Sequence, residues 1–74
     1  MTSKIDLHGF KHQDVKVRLE SWLFNEHNKG NFPVEVITGN SYKMKQLVKE
    51  VCEELNFKVN EWITGNPGSV MVME

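Results

Sequence analysis

Val34–Asn56, VEVITGNSYKMKQLVKEVCEELN, changes its hydrophobic period from one end to the other. Its opening residues are dense in β-branched side chains, which favours a strand over Pro33–Thr38. Thr38-Gly39-Asn40-Ser41 reads as a turn, and Ser41 suits a helix N-cap because its hydroxyl can accept from an otherwise unpaired backbone N–H. From Tyr42 to Asn56 the apolar residues are Met44, Leu47, Val48, Val51, Cys52 and Leu55. Their spacing of threes and fours places all six on one side of an α-helix. A strand passing through a glycine turn into an amphipathic helix is a building block of α/β folds.

The same pattern extends outward. Downstream, Phe57–Trp62 alternates polar and apolar residues, Gly65-Asn66-Pro67-Gly68 is a dense turn signal, and Ser69–Met73 reads as a last strand paired with the one before it. Upstream, Lys4–His8 alternates as a half-buried strand that Gly9 ends. His12–Lys29 then carries Val15, Leu19, Trp22, Leu23 and Glu26 at helical spacing, the first four forming an apolar stripe. Lys11 and His12 make a poor N-cap, Asp14 suits the first turn, and Gly30 is a natural stop. The expected order is β-α-β-α-β-β. Right-handed crossovers would set both helices on one face of a four-stranded mixed sheet, giving a two-layer α/β sandwich whose other face no helix covers.

Bulk composition bounds the function without naming it. The chain has 74 residues, 39% hydrophobic and 26% charged, enough for one core and one domain. No apolar run approaches the ~20 residues a membrane span requires, and no hydrophobic signal region opens the chain, so a cytoplasmic protein is the expectation. One cysteine, Cys52, excludes an internal disulfide and a thiol metal site; on the helical stripe it reads as a buried, inert thiol. A formal net charge of −1 means that any nucleic-acid site must be local, with basic residues gathered on one face. No Walker loop, CxxC, HExxH, GxGxxG or GxSxG is present, which leaves organic-cofactor and serine-hydrolase chemistry without support.

Three groups of residues can carry chemistry. Asp6 and His8, two apart on a strand, would point to one face about 6–7 Å apart. If Ile5 and Leu7 face the helices, this pair faces the open side, where a carboxylate and an imidazole can act as base and acid or share a divalent cation. The plainer alternative is that Asp6 caps a turn or pairs with a lysine while His8 bonds to backbone. Thr38, Gly39, Asn40 and Ser41 lie at a strand-to-helix junction, where outward N–H groups and the helix dipole favour an anion, though a simple β-to-α turn would look the same. Lys43 and Lys45 stand at the start of that helix and Glu53 and Glu54 at its end. Each placement opposes the dipole, by about 0.3–1 kcal/mol on an exposed helix, and lysines there would reinforce a phosphate site. His12 and His27 have no ligand-spaced partner. Trp22 belongs to the stripe; Trp62 either stacks on a base from the open side or lies half-buried under the last hairpin.

Taken together, Ile5-Asp6-Leu7-His8-Gly9 resembles the LDLHG signature of the Smr (small MutS-related) domain family, and Ile37-Thr38-Gly39-Asn40-Ser41 stands where that family has its HGxG or TGxG motif. Gly65–Val72 resembles the glycine-rich turn and last strand of such domains, so the likeness runs from Lys4 to Met73 and implies a single Smr-like domain over residues 1–74. It implies a sandwich similar to the C-terminal domain of translation initiation factor 3, and DNA-nicking, RNA-cleaving or nucleic-acid-binding activity. By position, Asp6 and His8 match the residues to which catalysis is attributed, and Gly39 matches the glycine of the second motif. Two positions depart from the pattern: Thr38 stands where many members have histidine, and Ser41 where many have glycine. Thr38 cannot shuttle protons near neutral pH, which puts cleavage in doubt but not the fold.

The expectation is therefore a monomeric endonuclease domain, with RNA favoured over DNA. Asp6 and His8 would be catalytic, and Thr38, Gly39, Asn40, Ser41, Lys43 and Lys45 would hold the phosphate. The alternatives are a non-catalytic nucleic-acid- or ribosome-binding module, and a protein adaptor using the open sheet face near Trp62.

Overall fold

The computed structural model describes residues 3–60 and 68–74. Six elements follow in the order β1 (Lys4–Asp6), α1 (His12–Asn28), β2 (Val34–Ile37), α2 (Tyr42–Glu54), β3 (Lys58–Asn60) and β4 (Ser69–Met73). The sheet is mixed, with strand order β1-β2-β4-β3. β1 and β2 are parallel, and β4 runs antiparallel to both of its neighbours, β2 and β3. The turn at Gly65-Asn66-Pro67 and the side chain of Trp62 lie outside the described residues.

Register and burial show which face is covered. Ile5 pairs with Val36, Val36 with Val70, and Val34 with Val72. These residues and Leu7 form one buried cluster with Val15, Leu19 and Leu23 of α1 and Met44, Val48, Val51 and Cys52 of α2. Both helices therefore cover the same face of the sheet. Trp22, Leu47 and Leu55 pack at the margin of this core. Their neighbours Lys4, Asp6, Glu35 and Ile37 lie on the other face, Lys4 and Asp6 exposed and Glu35 and Ile37 half-buried. That face is not uniformly open: Ser69 and Met71, on the strand flanked by β2 and β3, are buried. Lys4 and Asp6 on the β1 edge and Lys58 on the β3 edge are exposed.

The element ends show local chemistry at work. β1 stops at Asp6, not at His8, because Leu7–Phe10 closes a β-turn in which Phe10 N–H donates to Leu7 O at 3.0 Å and Gly9 takes φ +89°. The two-residue alternation that would place Asp6 and His8 on one strand face thus ends before His8. α1 begins at Lys11 with no side-chain cap and ends on Gly30 at φ +73°, whose N–H donates to His27 O while Asn31 N–H donates to Glu26 O. This is the paired-bond stop that a left-handed residue permits. α2 is two residues shorter than its sequence pattern because Asn56, at φ +63°, repeats the device: its N–H donates to Glu53 O and Phe57 N–H donates to Cys52 O. Asparagine tolerates that conformation better than other L-residues with a side chain. Glu26, at a stripe position but carrying a carboxylate, is buried and accepts from Asn31 Nδ2 at 2.7 Å. A polar bond there takes the place of the apolar contact that often closes such a stop.

Candidate nucleic-acid interface

The residues of the first motif each have a physical part. Leu7 is wholly buried, and its N–H donates to Ile37 O at 2.8 Å, prolonging the β1–β2 pairing by one bond. Asp6 Oδ1 accepts from His8 N–H at 2.9 Å, a side-chain-to-backbone turn that fixes the chain as it leaves the strand. His8 occupies the corner, exposed, with Gly9 supplying the positive φ that completes the turn. Asp6 thus does cap a turn, as the plainer reading holds, and the bond it makes presents the imidazole of His8 to solvent.

The imidazole rests on the second motif. Gly39 adopts φ +67°, and a Cβ built there would come within 2.9 Å of His8 Cδ2. Glycine suits this position for its left-handed backbone, and its lack of a side chain leaves room for the His8 ring. Parallel pairing of β1 and β2 brings their C-terminal ends to the same edge of the sheet, which is why two motifs some thirty residues apart meet there.

Thr38 has a different part from the one its motif position suggests. It is 2% exposed, and its hydroxyl lies 2.9 Å from Gly39 O and 3.3 Å from Gly68 O, so its proton is committed to backbone. The N–H groups of Thr38 and Gly39 both donate to Gly68 O, at 2.8 and 2.9 Å. These bonds tie the turn to the start of β4 and remove the Thr38 hydroxyl and the Thr38 and Gly39 amides from the set of anion donors. The donors that remain belong to Asn40, Ser41 and the first turn of α2, whose leading N–H groups have no intrahelical partner. Ser41 Oγ takes one of the orphan groups itself, accepting from Met44 N–H at 3.1 Å.

Electrostatically, the start of α2 carries no acidic residue and its last turn no basic one. Lys43 is exposed and Lys45 half-buried beside the Asn40–Ser41 turn. At the other end, Glu54 Oε2 meets Lys16 Nζ of α1 at 3.5 Å, which gives that carboxylate a compensating partner that Lys43 and Lys45 lack in the ion pairs of the described residues. His12 is exposed at the first position of α1. His27 is remote from this edge: its ring meets Phe32 edge-to-face and Phe57 at a tilt, and its Nδ1 lies 3.7 Å from Glu74 Oε1. Among the described residues no three of histidine, cysteine, aspartate and glutamate are grouped to hold a metal ion. No helix among them is long and apolar enough to cross a membrane. Cys52 is fully buried, and burial pushes its thiol from 9.0 up to about 12, so it is an unreactive part of the core.

The sequence pattern passes over two residues at this edge. Phe10 and Tyr42 are exposed and lie off both apolar stripes. Their one signal is that each aromatic directly precedes a lysine at a helix start.

The model of the Smr domain family matches residues 5–73, nearly the whole chain. The chain belongs to the Smr domain family. Comparison with curated proteins and with solved structures returns no match. In this Smr domain the two motifs are therefore neighbouring turns at one end of the parallel strand pair, with His8 as the side chain that joins them.

Proposed function

We propose that this Smr domain binds nucleic acid at the edge where β1 and β2 end, and cleaves or nicks a phosphodiester there. The observation that carries the reading is the contact of the His8 ring with Gly39, which sets a titratable group beside the anion-attracting start of α2. His8 is the proton-transfer group: its exposed imidazole can activate an attacking oxygen or protonate a leaving one. Asp6 holds His8 in place through its Oδ1, and its second carboxylate oxygen is left to orient a water or a divalent cation. The phosphate would be met by the Asn40 and Ser41 backbone and by Lys43 and Lys45, which offset the charge that develops in the transition state.

The test is incubation of labelled single- and double-stranded RNA and DNA with the wild-type domain and with Asp6→Ala and His8→Ala, each with and without Mg²⁺ or Mn²⁺. Cleavage by the wild type, lost in both variants while circular dichroism stays unchanged, is the expected result. Cleavage at wild-type rates by both variants would reject the assignment. Asp6→Asn separates the two parts of Asp6: it keeps the oxygen that accepts from His8 N–H but lacks the charge, so the turn survives and cleavage is lost.

A second reading is favoured by Thr38. With a buried, backbone-bonded threonine where many family members have histidine, the second motif supplies no imidazole, and a domain that needs one there would bind without cutting. It predicts salt-dependent binding and no cleavage under any metal condition. Both readings describe a cytoplasmic monomer. Light scattering at the monomer mass checks this.

A further inference from the structure

Phe10 is 39% exposed and Tyr42 75% exposed, each at the entrance to a helix. Phe10 precedes Lys11, the N-cap of α1, and Tyr42 is the first residue of α2, followed by Lys43. Both flank the His8–Gly39 contact: Phe10 follows His8 by two residues and Tyr42 follows Gly39 by three. At about 3.8 Å per Cα step, Phe10 Cα lies within ~8 Å of His8 Cα and Tyr42 Cα within ~11 Å of Gly39 Cα. Neither ring stacks on another ring among the described residues, whereas Phe32 and Phe57, at the opposite end of β2, pack at 4.8 Å. An exposed aromatic next to a lysine in sequence, repeated in both segments that meet at the His8–Gly39 contact, is the combination that receives an unpaired base and the phosphate attached to it.

We propose that Phe10 and Tyr42 are stacking platforms for unpaired bases of a single-stranded nucleic acid, whose phosphates lie against Lys11, Lys43 and Lys45 and pass His8 between the two rings. This rests on the nucleic-acid reading of the same edge and narrows it. In a duplex the base faces are already stacked on one another, so the rings select single strands, or the loops and ends of folded RNA. Stacking tolerates any base, which makes the site structure-selective and not sequence-selective. Among the described residues, the other exposed large apolar side chains, Val17 and Phe24, line a shallow groove with Glu20, Ser21, Asn25 and Leu55 that contains no lysine or arginine to meet a phosphate.

Binding of a short mixed-sequence oligonucleotide, followed by fluorescence anisotropy at low salt, tests the proposal. The arms are single-stranded RNA, single-stranded DNA and the duplex of each, with wild type, Tyr42→Ala, Tyr42→Phe, Phe10→Ala, Phe10→Tyr and Phe24→Ala. Single strands should bind more tightly than duplexes. Tyr42→Ala and Phe10→Ala should each weaken single-strand binding by about five- to a hundredfold with little effect on duplex binding. Tyr42→Phe and Phe10→Tyr should restore it, and Phe24→Ala should bind as wild type. Comparison of the RNA and DNA arms identifies which single strand is preferred. Wild-type-like affinity in both alanine variants, with binding still salt-dependent, would overturn the stacking assignment and leave the nucleic-acid reading standing. No affinity of the wild type for any polynucleotide would overturn both.

Discussion

At the scale of single residues, the site depends on what Gly39 lacks. An alanine there meets the His8 ring at 2.9 Å and must also hold φ +67°. The ring belongs to an exposed side chain and can swing aside, so most of the stability cost comes from the backbone, about 1–2 kcal/mol for a left-handed L-residue. Gly39→Ala should lower the unfolding free energy measured by urea denaturation by that amount and shift the His8 ring resonances in NMR; an unmoved ring would show that the contact is not maintained in solution. Cys52 makes an independent prediction about the core. Its folded-state thiol sits at about 12, above its ordinary 9.0, because burial disfavours the thiolate. The folded state therefore keeps a proton that the unfolded state releases above pH 9. The stabilising contribution is intact below pH 9 and is lost as pH rises towards 12. Wild-type stability should fall more steeply than that of Cys52→Ala across this window, and the native thiol should resist alkylation until the chain unfolds. What the sequence shows at this scale is residue type, not direction. Asp6 and His8 stand out as a pair from their types alone. That Asp6 spends one oxygen on His8 N–H, and that the Thr38 hydroxyl turns inward to backbone, follows from a turn and a tertiary contact that no local pattern encodes.

Individual elements were more legible, and their errors have causes. α2 was readable from its stripe, and its buried residues Met44, Val48, Val51 and Cys52 all lie on that stripe. Its pattern runs past its end because asparagine at the left-handed stop carries a weaker signal than the glycine that ends α1. The alternation runs two residues past the end of β1 because His8 continues it in type while the backbone turns after Leu7. The charge order of α2, visible in the sequence, persists in the fold and yields a prediction of opposite signs. Lys43→Glu should stabilise the domain by about 0.3–1 kcal/mol, since an anion replaces a cation at the positive end of the dipole. The same change should weaken nucleic-acid binding. Lys43→Ala should flatten the dependence of log K on log salt by about 0.7 for a single strand, the signature of one lost phosphate contact. Chemical denaturation and a salt titration of binding check the two signs. A stability loss on Lys43→Glu would mean that the lysine serves the helix and not a ligand.

Across the whole molecule, the two-layer arrangement explains why the two motifs gather at one edge. Both helices bury one face of the sheet, and the parallel β1–β2 pair delivers two loops to the same end, where the second helix begins. Element order and layer assignment were readable from periodicity because burial on one face imposes the pattern. The meeting of His8 with Gly39 was not, because proximity across the sheet depends on register. The most direct test is a titration of the isotope-labelled domain with a single-stranded oligonucleotide, followed by amide and imidazole chemical shifts. Shifts confined to His8, Gly39–Ser41 and Lys43, with neighbouring Phe10 and Tyr42, are the predicted result. Shifts centred instead on the Val17–Phe24 face of α1 or on the β3 edge, with His8 and Gly39 unmoved, would contradict the placement of the site.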